Sequence, residues 1–169
     1  MAMMDEVKLR RYVPADLDAM FAMDVICFAK PFRFDLRSMR RFVEARNAIA
    51  VVAERRRRDD SGVAMLGFVI VHVERCPTAH WGYVVTLDVA PEERRVGVAG
   101  WLMGEVEVLA AGAGAGTMEL HVWVGNEGAI RFYEGRGYGR TGLQRGFYGW
   151  AEGGSIDAYV YRKELSAGS

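Results

Sequence analysis

The sequence predicts a mixed α/β fold, with a central, mostly antiparallel sheet carrying about four helices. Three observations predict it. Short apolar runs at 48–54, 65–74, 83–89 and 117–124 are of strand length and bounded by turn residues. Apolar residues three and four apart, at 17–28, 36–43 and 101–109, mark helix faces. The stretch YVVTLDVAPEERRVGVAGWLMG, from Tyr83 to Gly104, joins the two patterns as strand, glycine-bearing turn and helix.

In chain order, residues 7–12 read as a first strand. Pro14 suits the first turn of a helix in which Leu17, Met20, Phe21, Met23 and Phe28 supply the apolar contacts. Residues 29–34, AKPFRF, interrupt it. Asp35 is a candidate cap for a second helix with Leu36, Met39, Phe42 and Val43 as its stripe. A strand at 48–54 leads into RRRRDDSG at 55–62, a charged and solvated hairpin tip, and 65–74 returns. Residues 76–82 turn the chain into the strand that opens at Tyr83. Ala90-Pro91-Glu92-Glu93 breaks that strand, and the glycines of 111–116 end the helix that follows. After the strand at 117–124, Asn126 is a credible N-cap of a short helix to Gly135, Glu127 suits its first turn, and Gly137 is a left-handed stop. Residues 139–150 and 157–162 make a last strand pair around a glycine-rich tip. The order is β-α-α-β-β-β-α-β-α-β-β, with no internal repeat or linker, so residues 1–169 read as one domain.

Composition excludes several classes. Lys plus Arg and Asp plus Glu both total 22 in 169 residues, so net charge draws the chain towards no nucleic acid. No run of 18 apolar residues occurs, and the first residues carry acid without an apolar segment, so neither a membrane span nor a signal peptide is expected. Cys27 and Cys76 have no metal or redox spacing, which suits a reducing cytoplasm and a chain without a metal.

The turn after residue 89 carries the first chemistry. Val96, Gly97, Val98, Ala99 and Gly100 would open a helix with several backbone N–H groups aimed at one point, beside Arg94 and Arg95. Positive helix ends of that kind hold phosphates. Neither nucleotide-fold fingerprint, Gly-x-Gly-x-x-Gly or Gly-x-x-x-x-Gly-Lys-Ser/Thr, is present.

Arg94, Gly97 and Ala99 resemble the Arg/Gln-x-x-Gly-x-Gly/Ala signature of the GNAT acetyltransferase superfamily. The block LHVWVGNEGAIRFY from Leu120 to Tyr133, followed by Gly137-Tyr138, resembles its second signature: a strand, Asn-x-x-Ala-x-x-x-Tyr, then Gly-Phe/Tyr. Together with the element order, the resemblance runs from Val7 to Arg162. It implies the GNAT fold, in which the strands from Tyr83 and Thr117 form a splayed parallel pair. Within the superfamily the chain looks most like the protein N-terminal acetyltransferases, the RimI-like and NatE catalytic-subunit branch. Tyr83-Val84-Val85-Thr86-Leu87 is similar to the NatE Tyr-x-x-Thr-Leu strand, and Leu120-His121-Val122 to its Leu-His-Val strand. RimI-like members carry Glu where His121 stands. Phe147-Tyr148 with Asp157-Ala158 resembles the Tyr-Tyr…Asp-Ala hairpin that closes over the substrate peptide, with Phe147 in place of the first Tyr.

The resemblance implies an enzyme that moves acetyl from acetyl-CoA to an amine. Residues 96–100, with Arg94 and Arg95, would hold the pyrophosphate. Leu87, Asp88 and Val89 would pair with the pantetheine arm, and Asn126 lies where the family contacts the cofactor, although capping alone also explains it. Neutralising an α-amine of pKa about 7.7–8.0 near pH 7.4 costs roughly 0.5 kcal/mol, against roughly 4 for a lysine. A histidine is a sufficient base for the first only. His121 is therefore the expected base, Tyr83 its relay and Tyr133 the acid at the sulfur. Glu119 or a water is the alternative base. Pro31, Phe32, Phe147 and Tyr148 would line the acceptor mouth.

The leading reading is a cytoplasmic N-terminal α-amine acetyltransferase for proteins or peptides, monomeric or homodimeric. Acetylation of a small-molecule amine or lysine is the enzymatic alternative, and a non-catalytic acyl-CoA-binding module the non-enzymatic one.

Overall fold

Strand alternation builds this molecule as one sheet with helices on both faces. The computed structural model describes residues 7–94 and 96–166. The sheet contains β1 (Val7–Arg11), β2 (Ala48–Arg56), β3 (Val63–Cys76), β4 (Ala79–Val89), β5 (Thr117–Trp123), β6 (Gly139–Gln144) and β9 (Ala158–Glu164). Their spatial order is β1-β2-β3-β4-β5-β9-β6, and β7 (Trp150–Ala151) with β8 (Gly154–Ser155) makes a separate small hairpin. The helices are α1 (Leu17–Cys27), α2 (Leu36–Val43), α3 (Val98–Gly112) and α4 (Glu127–Gly135).

Two cores follow from the two faces of the sheet. Val51, Val69, Val71 and Leu120 pack under α3 and α4 with Leu102, Met103, Val106 and Tyr133. Val52, Phe68 and Ile70 pack under α1 and α2 with Met20 and Met39. Fully burying one such side chain contributes about 1.5–3 kcal/mol. Asp35 caps α2 by accepting from the Ser38 N–H at 2.7 Å, as its side-chain chemistry predicts.

All neighbouring strands run antiparallel except β4 and β5. That parallel pair needs a crossover, and α3 supplies it. Its ladder covers only Trp81↔Thr117, Gly82↔Met118 and Tyr83↔Glu119. A Cβ at Gly82 would lie 2.5 Å from the Met118 sulfur, so only glycine lets β5 approach there. Beyond Tyr83 the two strands part, which is the expected splay.

A register shift in β4 sets what faces the helices. Ile70 pairs with Thr86 and Val71 with Val84, leaving Val85 as a bulge. One extra residue reverses the alternation beyond it. Thr86 and Asp88, opposite the α1/α2-side residues Ile70 and Phe68, therefore share a face with Tyr83, opposite His72. Leu87 and Val89 turn to the α3 side.

The halves of the sheet are also tied through α3. The buried Glu107 accepts from Arg136 Nη2 at 2.8 Å, the Tyr138 hydroxyl at 3.0 Å and Lys163 Nζ at 3.0 Å. Burial alone would raise its carboxyl, and these three bonds together hold it below the ordinary value.

Several sequence boundaries need correction. The strand through Tyr83 starts at Ala79, and β3 runs to Cys76, so the turn is only Pro77 and Thr78. Arg55 and Arg56 belong to β2 rather than to the hairpin tip. The strand at 139–150 ends at Gln144, because Gly146 and Gly149 take φ of 66° and 102° and turn the chain before Trp150.

Candidate active site

Tyr83 stands on the last rung of the β4–β5 ladder, and His121 lies two residues beyond its partner on the same face of β5. The Tyr83 hydroxyl is 2.8 Å from His121 Nδ1. The other ring nitrogen, Nε2, is 2.8 Å from Gln144 Oε1. An amide oxygen only accepts, so Nε2 carries the proton and Nδ1 accepts from Tyr83. Phe147 stacks on the imidazole at 4.0 Å with an interplanar angle of 2°. Burial raises the Tyr83 phenol, with smaller contributions from Tyr148 and Glu119, so Tyr83 stays a proton donor at neutral pH. Glu119 itself is engaged by Arg162 at 3.0 Å.

Tyr133 comes from the other side of the sheet. It is buried on α4 against Phe132 and Tyr138. Burial pushes its phenol well up, and Tyr148 and Asp88 add to that. Tyr148, pushed up to about 12 by burial, lies close enough to raise both Tyr83 and Tyr133 and donates to the His121 carbonyl at 3.5 Å. Tyr83 and His121 are thus in direct contact, and the Tyr148 phenol acts electrostatically on both Tyr83 and Tyr133.

The residues expected at the phosphate lie around the start of α3. Gly97 caps that helix with φ of 103°, and a Cβ there would meet the Trp101 ring at 3.3 Å. The first helical bond runs from the Trp101 N–H to the Gly97 carbonyl. The N–H groups of Val98, Ala99 and Gly100 therefore lack intrahelical acceptors. Val96 is half-buried and Arg94 exposed, with Arg94 Nε donating to the Val89 carbonyl at 3.3 Å. Arg95 lies outside the described residues. Leu87 and Val89 face α3, whereas the Asp88 side chain is turned towards α1, leaving only its backbone for a ligand in the splay. Asn126 accepts from the Ala129 N–H at 3.1 Å and so caps α4.

The expected acceptor residues form one aromatic wall. Phe32 meets Tyr148 edge-on at 4.9 Å and Trp123 at 5.3 Å, and Phe147 meets Tyr148 at 4.8 Å. Beside it, Pro31, Phe32, Trp123 and Ile156 line an open cavity of about 340 Å³. A larger concavity, about 490 Å³, lies by Lys8, Glu54 and Arg56, away from this cluster. Among the described residues no three His, Cys, Asp or Glu side chains gather as metal ligands.

Gln144 and Trp123 were not singled out from sequence. Trp123 was legible by alternation with His121. Gln144 had no signal, because its role depends on β6 reaching the imidazole across β9. Gln144→Leu removes the acceptor that fixes the imidazole tautomer. One hydrogen bond is worth about 0.5–1.5 kcal/mol, so kcat should fall roughly threefold to tenfold. Steady-state kinetics with acetyl-CoA and a peptide amine checks this, and an unchanged kcat would remove Gln144 from the account.

The family model described as the acetyltransferase (GNAT) family matches residues 17–138. The catalytic subunit naa20 of the N-terminal acetyltransferase B complex of Schizosaccharomyces pombe is 31% identical over 108 residues, covering 64% of this chain. The match spans 60% of that relative's length. Arabidopsis thaliana NAA60, solved with a bisubstrate analogue, superposes with a TM-score of 0.82 at 23% identity over 96% of this chain and 99% of that one. The same protein was also solved with acetyl-CoA. The Escherichia coli ribosomal-protein-S18-alanine N-acetyltransferase gives a TM-score of 0.78 at 18% identity, over 96% of each chain.

Proposed function

The chain belongs to the acetyltransferase (GNAT) family, and from that premise we propose that it acetylates the N-terminal α-amine of proteins or peptides. Acetyl-CoA is the donor, and the amine attacks directly in a ternary complex. The observation that carries this reading is the bond from the Tyr83 hydroxyl to His121 Nδ1 beside an aromatic wall. A histidine-strength base suits an amine of pKa about 7.7–8.0 and not a lysine of about 10.4.

The residues fit the donor. The free N–H groups of Val98, Ala99 and Gly100 suit a pyrophosphate at the start of α3. The β5-facing edge of β4 beyond Tyr83 has no strand beside it among the described residues, which suits the amide-bearing pantetheine arm. The donor supplies an acetyl thioester, an activated carbonyl on a good leaving group.

The protein's own groups then divide the work. Tyr83 oxygen accepts a proton from the attacking amine as its hydroxyl proton passes to His121 Nδ1. Gln144 and Phe147 hold the imidazole for that transfer. The new C–N bond replaces the C–S bond, and Tyr133 donates a hydrogen bond to the departing sulfur. Its raised phenol keeps the proton available at every neutral pH, so charge stabilisation of the thiolate is its contribution. Phe32 and Tyr148 flank the acceptor's first residues.

Turnover of acetyl-CoA against peptides with free and blocked N-termini tests the reading. Only free N-termini should react. Equal turnover of blocked, lysine-bearing peptides, or none of any peptide, would overturn it.

The donor half has its own test. Gly97→Asp should weaken acetyl-CoA at least tenfold, because a carboxylate about 4 Å from a phosphate costs about 1 kcal/mol even in water and several near a protein surface. Gly97→Ala isolates the strain of a side chain at φ of 103°. Calorimetry showing wild-type affinity in folded Gly97→Asp would move the phosphate elsewhere.

A further inference from the structure

We propose that Asp24 and Asp88 form a proton-sharing positioning pair that ties the acceptor wall to the donor strand; the functional part of this rests on the acetyl-transfer reading above. Asp24 on α1 is 0% exposed and Asp88 on β4 is 1% exposed. One oxygen of each is satisfied: Asp24 Oδ2 accepts from the Phe34 N–H at 3.0 Å, and Asp88 Oδ1 from the Thr86 hydroxyl at 2.6 Å. The remaining oxygens, Asp24 Oδ1 and Asp88 Oδ2, find no donor on any other described residue. The two groups face each other across the seam between α1 and β4, which Cys27 Sγ closes on the Val89 carbonyl at 3.3 Å, and each carboxyl acts on the other.

Two buried carboxylates in contact cannot both ionise, because each would sit unsolvated against a like charge. A single proton between them removes one charge and satisfies both orphan oxygens in one short bond. Burial, the largest cause for each, raises both carboxyls, and Asp88 is raised well above its ordinary value. The neighbouring cations act against this: Arg33 on Asp24 and Arg94 on Asp88. The Cys27 thiol of α1 also faces the site, raised first by burial and then by the Asp88 charge, while the Tyr133 phenol on the far side of the sheet is raised by burial, then Tyr148, with Asp88 the smallest contribution. From β3 the contact is the apolar Phe68, opposite Asp88. The proton belongs to the pair as a unit.

What the pair connects gives it a role. Through the Phe34 N–H, Asp24 fixes the end of the loop that carries Pro31 and Phe32. Through Asp88 it reaches the strand whose next neighbours, Leu87 and Val89, face the donor cleft. Cys27 adds a second stitch, donating from Sγ to the Val89 carbonyl at 3.3 Å. The bulge at Val85 makes this possible, since strict alternation would turn Asp88 to the other face. Losing the proton would place two charges between wall and strand and push them apart.

Asp88→Asn tests the proton directly. The amide donates to Asp24 and keeps the bridge, with no proton left to lose. The folded wild type holds a proton that the unfolded chain releases near pH 3.9. Its stability, full below that pH, should therefore fall as pH rises towards the raised folded value. Between pH 5 and 7 the unfolding equilibrium constant of wild type should rise up to tenfold per pH unit relative to Asp88→Asn. Thermal and urea unfolding of both proteins reads this without any assay of activity. Parallel profiles would overturn the shared proton, and Asp24→Asn provides the mirror variant should Asp88→Asn not fold. In kinetics, Asp24→Leu should raise the acceptor-peptide KM about tenfold with acetyl-CoA KM unchanged, while Asp24→Asn, which still accepts from the Phe34 N–H and donates to Asp88, should restore the wild-type peptide KM to within about threefold. Equal movement of both KM values, or of neither, would leave the pair without a positioning role. Absence of turnover in the wild type itself would count against the acetyl-transfer reading and not against the proton, which the unfolding profiles decide.

Discussion

His121→Ala is expected to lower kcat by about 10²–10⁴-fold, the usual contribution of one acid–base group, while acetyl-CoA binding survives. The imidazole accepts from Tyr83 at 2.8 Å and is braced by Gln144 at 2.8 Å. None of these groups belongs to the start of α3, so the donor site keeps its N–H groups. The residual rate should climb as pH passes the α-amine value of about 7.7–8.0, because the free amine then needs no base. Tyr83→Phe should show the same recovery, since it cuts the path between amine and imidazole. A variant that keeps wild-type kcat and pH profile would rule out His121 as the base. Glu119 could replace it only by leaving Arg162.

The largest loss of stability is expected from Glu107→Ala, about 3–5 kcal/mol, because it strands buried or half-buried cations. Arg136 and Lys163 would lose their common carboxylate, and the Tyr138 hydroxyl its acceptor. Urea unfolding measures the change, and a loss below about 1 kcal/mol would mean the cations swing out to water. The same carboxyl gives a pH signature. Its folded value is depressed, so its contribution is present above the unfolded carboxylate value, about 4.3. That contribution fades as pH falls through the folded value. This slope is opposite in sign to that of the Asp24–Asp88 pair, and the two variants separate them.

The order of elements was legible because each strand and helix carries its own period of apolar residues. Tyr83 and His121 were legible together because both lie on apolar strands in family-like contexts, and the parallel pairing of those strands brings them side by side. Gln144 was not, since nothing in GRTGLQ marks a residue that touches a histidine 23 positions earlier. Asp88 was legible as part of the donor strand but not as a buried acid facing α1. The reason is the bulge at Val85, a defect in pairing that the sequence of β4 alone does not announce. Asp24, four residues after Met20, falls on the buried stripe of α1, but its partner appears only when the loop that follows α1 folds back to present the Phe34 N–H. Residues 145–157 read as plain strand and tip, and only the positive φ of Gly146 and Gly149 shows why Phe147 stands over the imidazole.

The position of β9 imposes an order on synthesis. Ribosomes make the chain from its N-terminus, so Ala158–Glu164 emerges after every other strand among the described residues, yet it lies between β5 and β6. Until it arrives, β5 has an open edge along Thr117–Trp123, and β6 has no partner at all among the described residues. Gln144 then has nothing to carry it to His121, and Lys163 is missing from Glu107. A nascent chain can thus complete α3 and the turn before it early, while His121 remains unbraced until β9 slots in. A chain cut short before Ala158 is left with an unpaired strand edge exposed to its neighbours.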